Sequence, residues 1–422
     1  MAGLGGFLYG IDFGTIAAAM PYIRELKLFS DAQLSVVVGA VLFGGIISSL
    51  TAGMLAERFG RKRMIVASAA MFLCAVPTVC LSGGSFAVMA AGRVLQGMSA
   101  GYMSVVMPMY LTEVLPPEIR GRGTGVFQFC LNLGLVAAAG VGYLVTLTLG
   151  ATLKDLAWKA NFWWTMLPVA ALFVGSLFLR ESPAWRSRSH VPADSPVARV
   201  PAEPCNGSLL QRRYVLPFLL AVLVLTFNKT TGMSSITSYS VVIFHKAGFA
   251  DSLGNVGDFA IKITSLVVTL VAATLVDRKG RTFLLKLGTG GMTVGLLAIG
   301  AVFFLIERCG VAATGATGVL CLAAFFVMQV FYALGPGICV WLVLSELMPQ
   351  RIRANGMAIA LFMNQLVAWG LASTFLPWVN RWGWDSMFLF FAANGVLYFL
   401  VACFIPETKG KSLDELERLF EK

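Results

Sequence analysis

GMLAERFGRKR, residues 53–63, and LVDRKGR, residues 275–281, are two basic stretches of the same make, a carboxylate followed by cations around one glycine, each lying between long apolar runs. The agreement continues outward from them. YLTEVLPPEIRGRG (110–123) is matched by VLSELMPQRIRANG (343–356), and Glu113 and Arg120 stand seven residues apart, as do Glu346 and Arg353. RESPAW (180–185) is matched by PETKG (406–410). Three corners repeated in one order make the chain two related halves. In a chain of apolar segments, such a parallel repeat implies two helical bundles related by an axis along the membrane normal.

The composition agrees. With 58% hydrophobic and 13% charged residues, and a mean hydropathy of +0.80, the chain does not read as a soluble globular protein. One crossing takes about 20 apolar residues. Runs of that order lie near 2–23, 33–56, 64–82, 85–112, 123–150 and 161–179, and again near 214–244, 256–276, 284–306, 317–345, 355–378 and 386–405. The expected fold is an all-α membrane protein of twelve transmembrane helices in two pseudo-symmetric six-helix bundles. The first bundle spans 1–186 and the second 214–406. The connecting segment 187–213, with Pro192, Pro196, Pro201 and Pro204, reads as a cytoplasmic linker, and 407–422 as a cytoplasmic tail. Gly101, Gly232, Gly335, Pro336 and Gly337 fall inside spans, where they permit close helix approach or a break.

Twelve crossings leave both termini on one side. Of the 32 Lys and Arg residues, 22 fall in the loops and tail of that side, and far fewer in the opposite loops or, like Arg93 and Lys229, inside spans. The positive-inside rule makes that side the cytoplasm; the expected host is the cell membrane. The net charge of +11 therefore reports orientation and contact with anionic lipids, not nucleic acid, for no basic stripe carries interleaved aromatics. The first span lacks a basic leader and is too long for a signal h-region. The eight cysteines show no metal-ligand spacing and read as buried free thiols, seven in or at the edge of spans and Cys205 in the linker. No cofactor is expected. The sequons at Asn206 and Asn228 lie in a cytoplasmic loop and within a span, out of reach of glycosylation.

Asp12 is the lone charge of residues 1–23, and Arg93 the lone cation of 85–112. An ionisable group at the bilayer centre costs roughly 2.5–3.5 kcal/mol even on lenient scales. Held in separate spans, the two neutralise each other, and the carboxylate can also take a proton, so the pair points to a proton-coupled carrier. A static pair that fixes packing is the alternative, although desolvation often cancels the gain from such a pair. Lys229 lies about fifteen residues from either end of its run, too deep for easy snorkelling. Its expected partner is Asp12, an acidic substrate, or a hydroxyl.

Several further stretches are specific. GFLYGIDFG (6–14), GRVLQG (92–97), PPEIRGRG after Glu113, ESPAW, VDRKGR, GPGICVWLVLSE (335–346) and PETKG together resemble the sugar porter family of the major facilitator superfamily, over nearly the whole chain. The linker is shorter than the helical insert common there. The resemblance implies that Glu57, Arg58, Glu113, Arg120 and Glu181, with Asp277, Arg278, Glu346, Arg353 and Glu407, form cytoplasmic ion pairs that close the inner mouth. It places sugar-binding groups at Gln128 and, one helical turn on, Asn132, and at Trp341.

In span 7 the chain departs from the family pattern. NKTTGMSSITSYS (228–240) puts Asn228 and Lys229 where the family has two glutamines, Ser234 where it has asparagine, and Ser238-Tyr239 where it has two tyrosines. Ser265 replaces an asparagine in span 8, and Asn364-Gln365 a glutamine-tryptophan pair in span 11. Phe127 of span 5, Tyr9 of span 1 and Tyr332 of span 10 are further aromatic candidates for the pocket, with a core role at least as open.

The function implied is proton-coupled symport of a sugar or polyol by alternating access; the alternative is symport of a sugar acid or other small organic anion. Neither of the two histidines lies at a span centre and no catalytic constellation appears, so no enzyme is expected. The expected partners are the small-molecule substrate, protons and membrane lipids, and the expected state is a monomer.

Overall fold

The computed structural model describes residues 2–114, 120–150, 153–183, 185–186, 212–348 and 353–407. The linker prolines, Cys205, Asn206 and residues 408–422 lie outside the described residues, as do the side chains of Arg120, Gln128, Asp277 and Arg353. The described chain carries fifteen helices of ten or more residues, and it divides into two compact units, Met1–Glu203 and Pro204–Lys422.

The first unit holds α1 (Ala2–Glu25), α2 (Asp31–Phe59), α3 (Arg61–Cys80), α4 (Phe86–Val114), α5 (Arg120–Thr148), α6 (Lys154–Trp163) and α7 (Met166–Leu177). The second holds α8 (Arg212–Thr230), α9 (Met233–Lys246), α10 (Asp251–Lys279), α11 (Arg281–Glu307), α12 (Gly315–Leu334), α13 (Pro336–Leu347), α14 (Arg353–Trp382) and α15 (Trp384–Phe404). Eleven segments are long and apolar enough to cross a membrane, three of them made of consecutive helices: α6 with α7, α8 with α9, and α12 with α13. The twelfth expected crossing is α4, whose 29 residues span about 43 Å. It stands outside the eleven because Arg93 and Gln96 dilute its apolar run.

Each break in a crossing has a local cause. Gly232, between α8 and α9, adopts φ +77°, a left-handed conformation that side chains rarely take. Gly335 separates α12 from Pro336 at the start of α13. Between α6 and α7 the breaker is Pro168, in the first turn of α7 and without an N–H to give the Trp164 carbonyl.

Within the first unit α1 packs on α5 and α2 on α4 at backbone distance, as small residues permit in membrane helices. A Cβ on Gly10 would sit 2.0 Å from the Leu131 carbonyl oxygen, and one on Gly97 1.9 Å from that of Val41. Gly101 also serves approach, not a break, since its Cβ would fall 1.8 Å from Ser48 Oγ within unbroken helices. In the second unit α11 packs on α12 and α15, and the core is aromatic. Phe388 stacks on Phe303 at 5.5 Å and Tyr239 on Phe375 at 4.6 Å.

The cysteines need one correction. Cys80, Cys321 and Cys339 are buried, but Cys74, Cys309 and Cys403 are exposed on the protein surface. Lying within or beside a span is not the same as lying inside the protein, because every outer helix turns one face outward.

Candidate functional site

On α1, Gly10 and Gly14 face α5, and Asp12, two residues from each, therefore points to the opposite side, where α4 brings Arg93. Arg93 Nη1 donates to Asp12 Oδ1 at 3.1 Å and to Gln96 Oε1 at 2.8 Å. The guanidinium also lies over the Phe162 ring of α6, 5.7 Å from its centroid. Both side chains are sealed off, with exposures of 2% for Arg93 and 0% for Asp12. The pair is nevertheless half-made. Asp12 Oδ2 and Arg93 Nε are buried without hydrogen-bond partners, where a bidentate fork would have used both carboxylate oxygens. Gln96 did not stand out in the sequence, being one polar residue in a small-residue helix.

In the second unit the break at Gly232 folds the chain so that Lys229 Nζ donates to Ser234 Oγ at 3.3 Å. Among the described residues no carboxylate pairs with Lys229, and Asp12 is engaged by Arg93. Three neighbours in the chain or fold are orphaned: Asn228 Nδ2, Ser235 Oγ and Asn364 Oδ1 are buried and lack partners. They lie on α8, α9 and α14, and α14 packs on both of the others. Gln365 follows on α14, half-buried. Ser265 of α10 accepts a hydrogen bond from Gln329 Nε2 of α12 at 2.9 Å, which adds Gln329 to the polar set. Asn132 is buried on α5, and Trp341 on α13 is 47% exposed. Ser238 is buried, and Tyr239 beside it belongs to the aromatic core, stacked on Phe375.

A second intramembrane ion pair was not apparent in the sequence. Lys262 Nζ lies 2.6 Å from Asp258 Oδ2 one turn away on α10, and Ser240 Oγ of α9 donates to Asp258 Oδ1 at 2.6 Å. Both charged side chains are buried, so Lys262 belongs with Arg93 and Lys229 inside the spans and not with the loop cations.

The repeated corners are organised by two arginines that nothing in the sequence singles out. Arg61 donates from Nη2 to Glu113 Oε1 at 2.8 Å and to Glu57 Oε1 at 2.6 Å, and from Nη1 to the Ala56 carbonyl at 3.0 Å. Glu181 accepts the backbone N–H groups of Arg61 and Lys62 at 2.9 and 3.0 Å, and so caps the N-terminus of α3. The second unit repeats this: Arg281 Nε donates to Glu346 Oε1 at 3.3 Å, while Glu407 accepts the N–H groups of Arg281 and Thr282 at 3.0 and 3.1 Å. Gly60 and Gly280 share φ +94°, and a Cβ on either would strike the capping carboxylate. Arg58 lies outside the network, over the Phe59 ring; Arg278 is exposed. The pairs described are thus internal to each unit.

The comparisons with known proteins agree with this architecture. The family model described as "Sugar (and other) transporter" matches residues 1–191 and 202–420. Similar proteins include the arabinose-proton symporter of Bacillus subtilis, 27% identical over 100% of this chain and 94% of that protein. The galactose-proton symporter of Escherichia coli K12 is 28% identical over 99% and 92%. Among solved structures, the D-xylose-proton symporter superposes with a TM-score of 0.83 at 23% identity, covering 97% of this chain and 98% of the other. The chain belongs to the sugar porter family of the major facilitator superfamily. It is a multi-pass membrane transporter, in a family of transporters and not of enzymes.

Proposed function

We propose that this chain is a proton-coupled symporter that imports a sugar, polyol or sugar-derived acid by alternating access, with no catalytic activity of its own. The observation that carries the reading is the Asp12–Arg93 pair, sealed from solvent and joined through one carboxylate oxygen, with Oδ2 idle. A proton placed on Oδ2 cancels the carboxylate charge without first breaking a second hydrogen bond. Arg93 then loses its counter-ion and keeps Gln96 and the Phe162 ring, so the contact between α1 and α4 weakens in the protonated state. A ligand or proton shifts a two-state carrier only through such a difference between states. With a neutral substrate the membrane potential adds about 2.3 kcal/mol per charge per 100 mV, enough for tens-fold accumulation; with a monoanion and one proton the pH gradient alone drives uptake. The named relatives are proton symporters of arabinose and galactose, which favours the same coupling and substrate class here.

The proposed substrate residues are Gln128 and Asn132 of the first unit and Asn228, Lys229, Ser234, Ser265, Trp341, Asn364 and Gln365 of the second, to which Gln329 is added through Ser265. We place the corner residues Glu57, Glu113, Arg120, Glu181, Asp277, Glu346, Arg353 and Glu407 at the cytoplasmic side, with Arg61 and Arg281 as their hubs. Residues 1–186 and 214–406 are the two bundles, joined by a cytoplasmic linker, and both termini are cytoplasmic in the plasma membrane. The carrier is a monomer.

The test is Asp12→Asn in proteoliposomes. The variant is expected to lose pH-driven accumulation of sugar while exchange down a gradient stays measurable. Accumulation against a gradient by the variant would remove Asp12 from the coupling step.

A further inference from the structure

We propose that Lys229 is the anchor for a carboxylate on the substrate, so that the transported molecule is an acidic sugar, such as a uronate or aldonate, and not its neutral parent. This refines the substrate class of the site proposed above and rests on that reading.

Asp12 and Asp258, both held inside spans, are each paired. Asp12 has Arg93, and Asp258 has Lys262 together with the Ser240 hydroxyl. Lys229 is different. Among the described residues its ammonium has no anionic partner and meets one hydroxyl, Ser234 Oγ, at 3.3 Å, the long end of a hydrogen bond. The described part of the second unit therefore carries an uncompensated cation within a span. Such a group is costly to keep, and it is charge-neutralised when an anion arrives.

Asp258 cannot be that anion, because Oδ1 and Oδ2 are already taken at 2.6 Å each. The break at Gly232 is what sets Lys229 apart from the helix around it. There the helical ladder is interrupted, the Gly232 N–H turns back to the Lys229 carbonyl at 2.9 Å, and Phe391 fills the space where a Cβ would stand.

The rest of a sugar acid also finds its complement. Asn228 Nδ2 is a buried donor without an acceptor, and Asn364 Oδ1 a buried acceptor without a donor. A sugar hydroxyl supplies either role, being both donor and acceptor. A neutral hexose would satisfy the amides and leave the ammonium unpaired; a simple carboxylic acid would do the reverse. A polyhydroxy carboxylate satisfies both.

The experiment is equilibrium binding to the purified full-length protein in nanodiscs, measured by calorimetry without any gradient. The ligands are matched pairs: D-galacturonate with D-galactose, D-glucuronate with D-glucose, D-gluconate with sorbitol. At least one acid is expected to bind ten-fold or more tightly than its neutral partner, and Lys229→Gln is expected to bring that ratio near one. Lys229→Arg, which keeps the charge, should restore most of the preference. Lys229→Gln should also raise the melting temperature of the ligand-free protein, since an unpaired cation is removed, whereas a lysine needed for packing would lower it. The proposal is overturned if no acid binds, if the neutral partner is preferred in every pair, or if the preference survives in Lys229→Gln. Loss of proton coupling would be seen separately, in pH-driven accumulation, and does not enter these binding ratios.

Discussion

Replacing Arg61 by alanine tests how the first unit is closed. The Arg61 side chain is 1% exposed and binds Glu113, Glu57 and the Ala56 carbonyl at once. Its removal strands Glu113, which is 13% exposed; the Ala56 carbonyl keeps the Gly60 N–H, and Glu57 is 53% exposed. Breaking a buried pair from one side costs about 3–5 kcal/mol. Partial hydration of Glu113 reduces this to about 2–3 kcal/mol. At about 2–4 °C per kcal/mol for a unit of this size, the melting temperature should fall by roughly 4–12 °C. Arg281→Ala is the internal control. Arg281 is 17% exposed against 1% for Arg61, with Nε 3.3 Å from Glu346 and Nη1 on the Val276 carbonyl at 3.4 Å, so a smaller fall in melting temperature is expected. The assay is the loss of the monodisperse fluorescent peak on heating in detergent, at a fixed heating rate because such unfolding is irreversible. Equal shifts in the two variants, or no shift in Arg61→Ala, would refute the reasoning that burial ranks these two hubs.

Gly232→Ala should lower the melting temperature and uptake together, because it forces a side chain into φ +77° and drives Cβ to 2.3 Å from Phe391 Cζ. Gly53→Ala, on an open helical face, should instead stabilise by about 1 kcal/mol; the reverse order in a thermal melt would contradict the account of the span 7 break. For the buried pair on α10, Asp258→Asn and Lys262→Met should each destabilise, and the double variant should recover most of the loss. A double-mutant cycle measures this, and strict additivity would mean that the two charges do not depend on each other.

The crossings were legible because a run of twenty apolar residues fits a bilayer and little else. The lone charges Asp12 and Arg93 were conspicuous against that background, and Arg93 Nη1 lies 3.1 Å from Asp12 Oδ1. Arg61 was not legible. It sits in RKR, where three adjacent cations look alike until a helix starts at Arg61 and turns its side chain inward, while Arg63 stays exposed. Lys262 was lost differently: a carboxylate one turn away cancels its charge within a single helix, so nothing elsewhere in the sequence points to it. The break before α7 needed Pro168 to be read as a missing donor for Trp164, which requires knowing where the helix begins. The orphaned amides of Asn228 and Asn364 cannot be read from sequence at all, since burial without a partner is a property of the packed state.

The capping carboxylates also carry a history of synthesis. Glu181 lies 120 residues after the helix start it caps, and Glu407 lies 126 residues after its own. A ribosome adding about 5–20 residues per second leaves the α3 amides waiting roughly 6–24 s for Glu181, and those of α11 about as long for Glu407. Until then those helix ends must be served by water. Each half therefore fastens itself with nearly the last residue of its sixth crossing, and the first half can be fastened while the second is still being translated. A ribosome stalled just short of residue 407 would leave one finished bundle beside one whose earliest inward turn has no anchor.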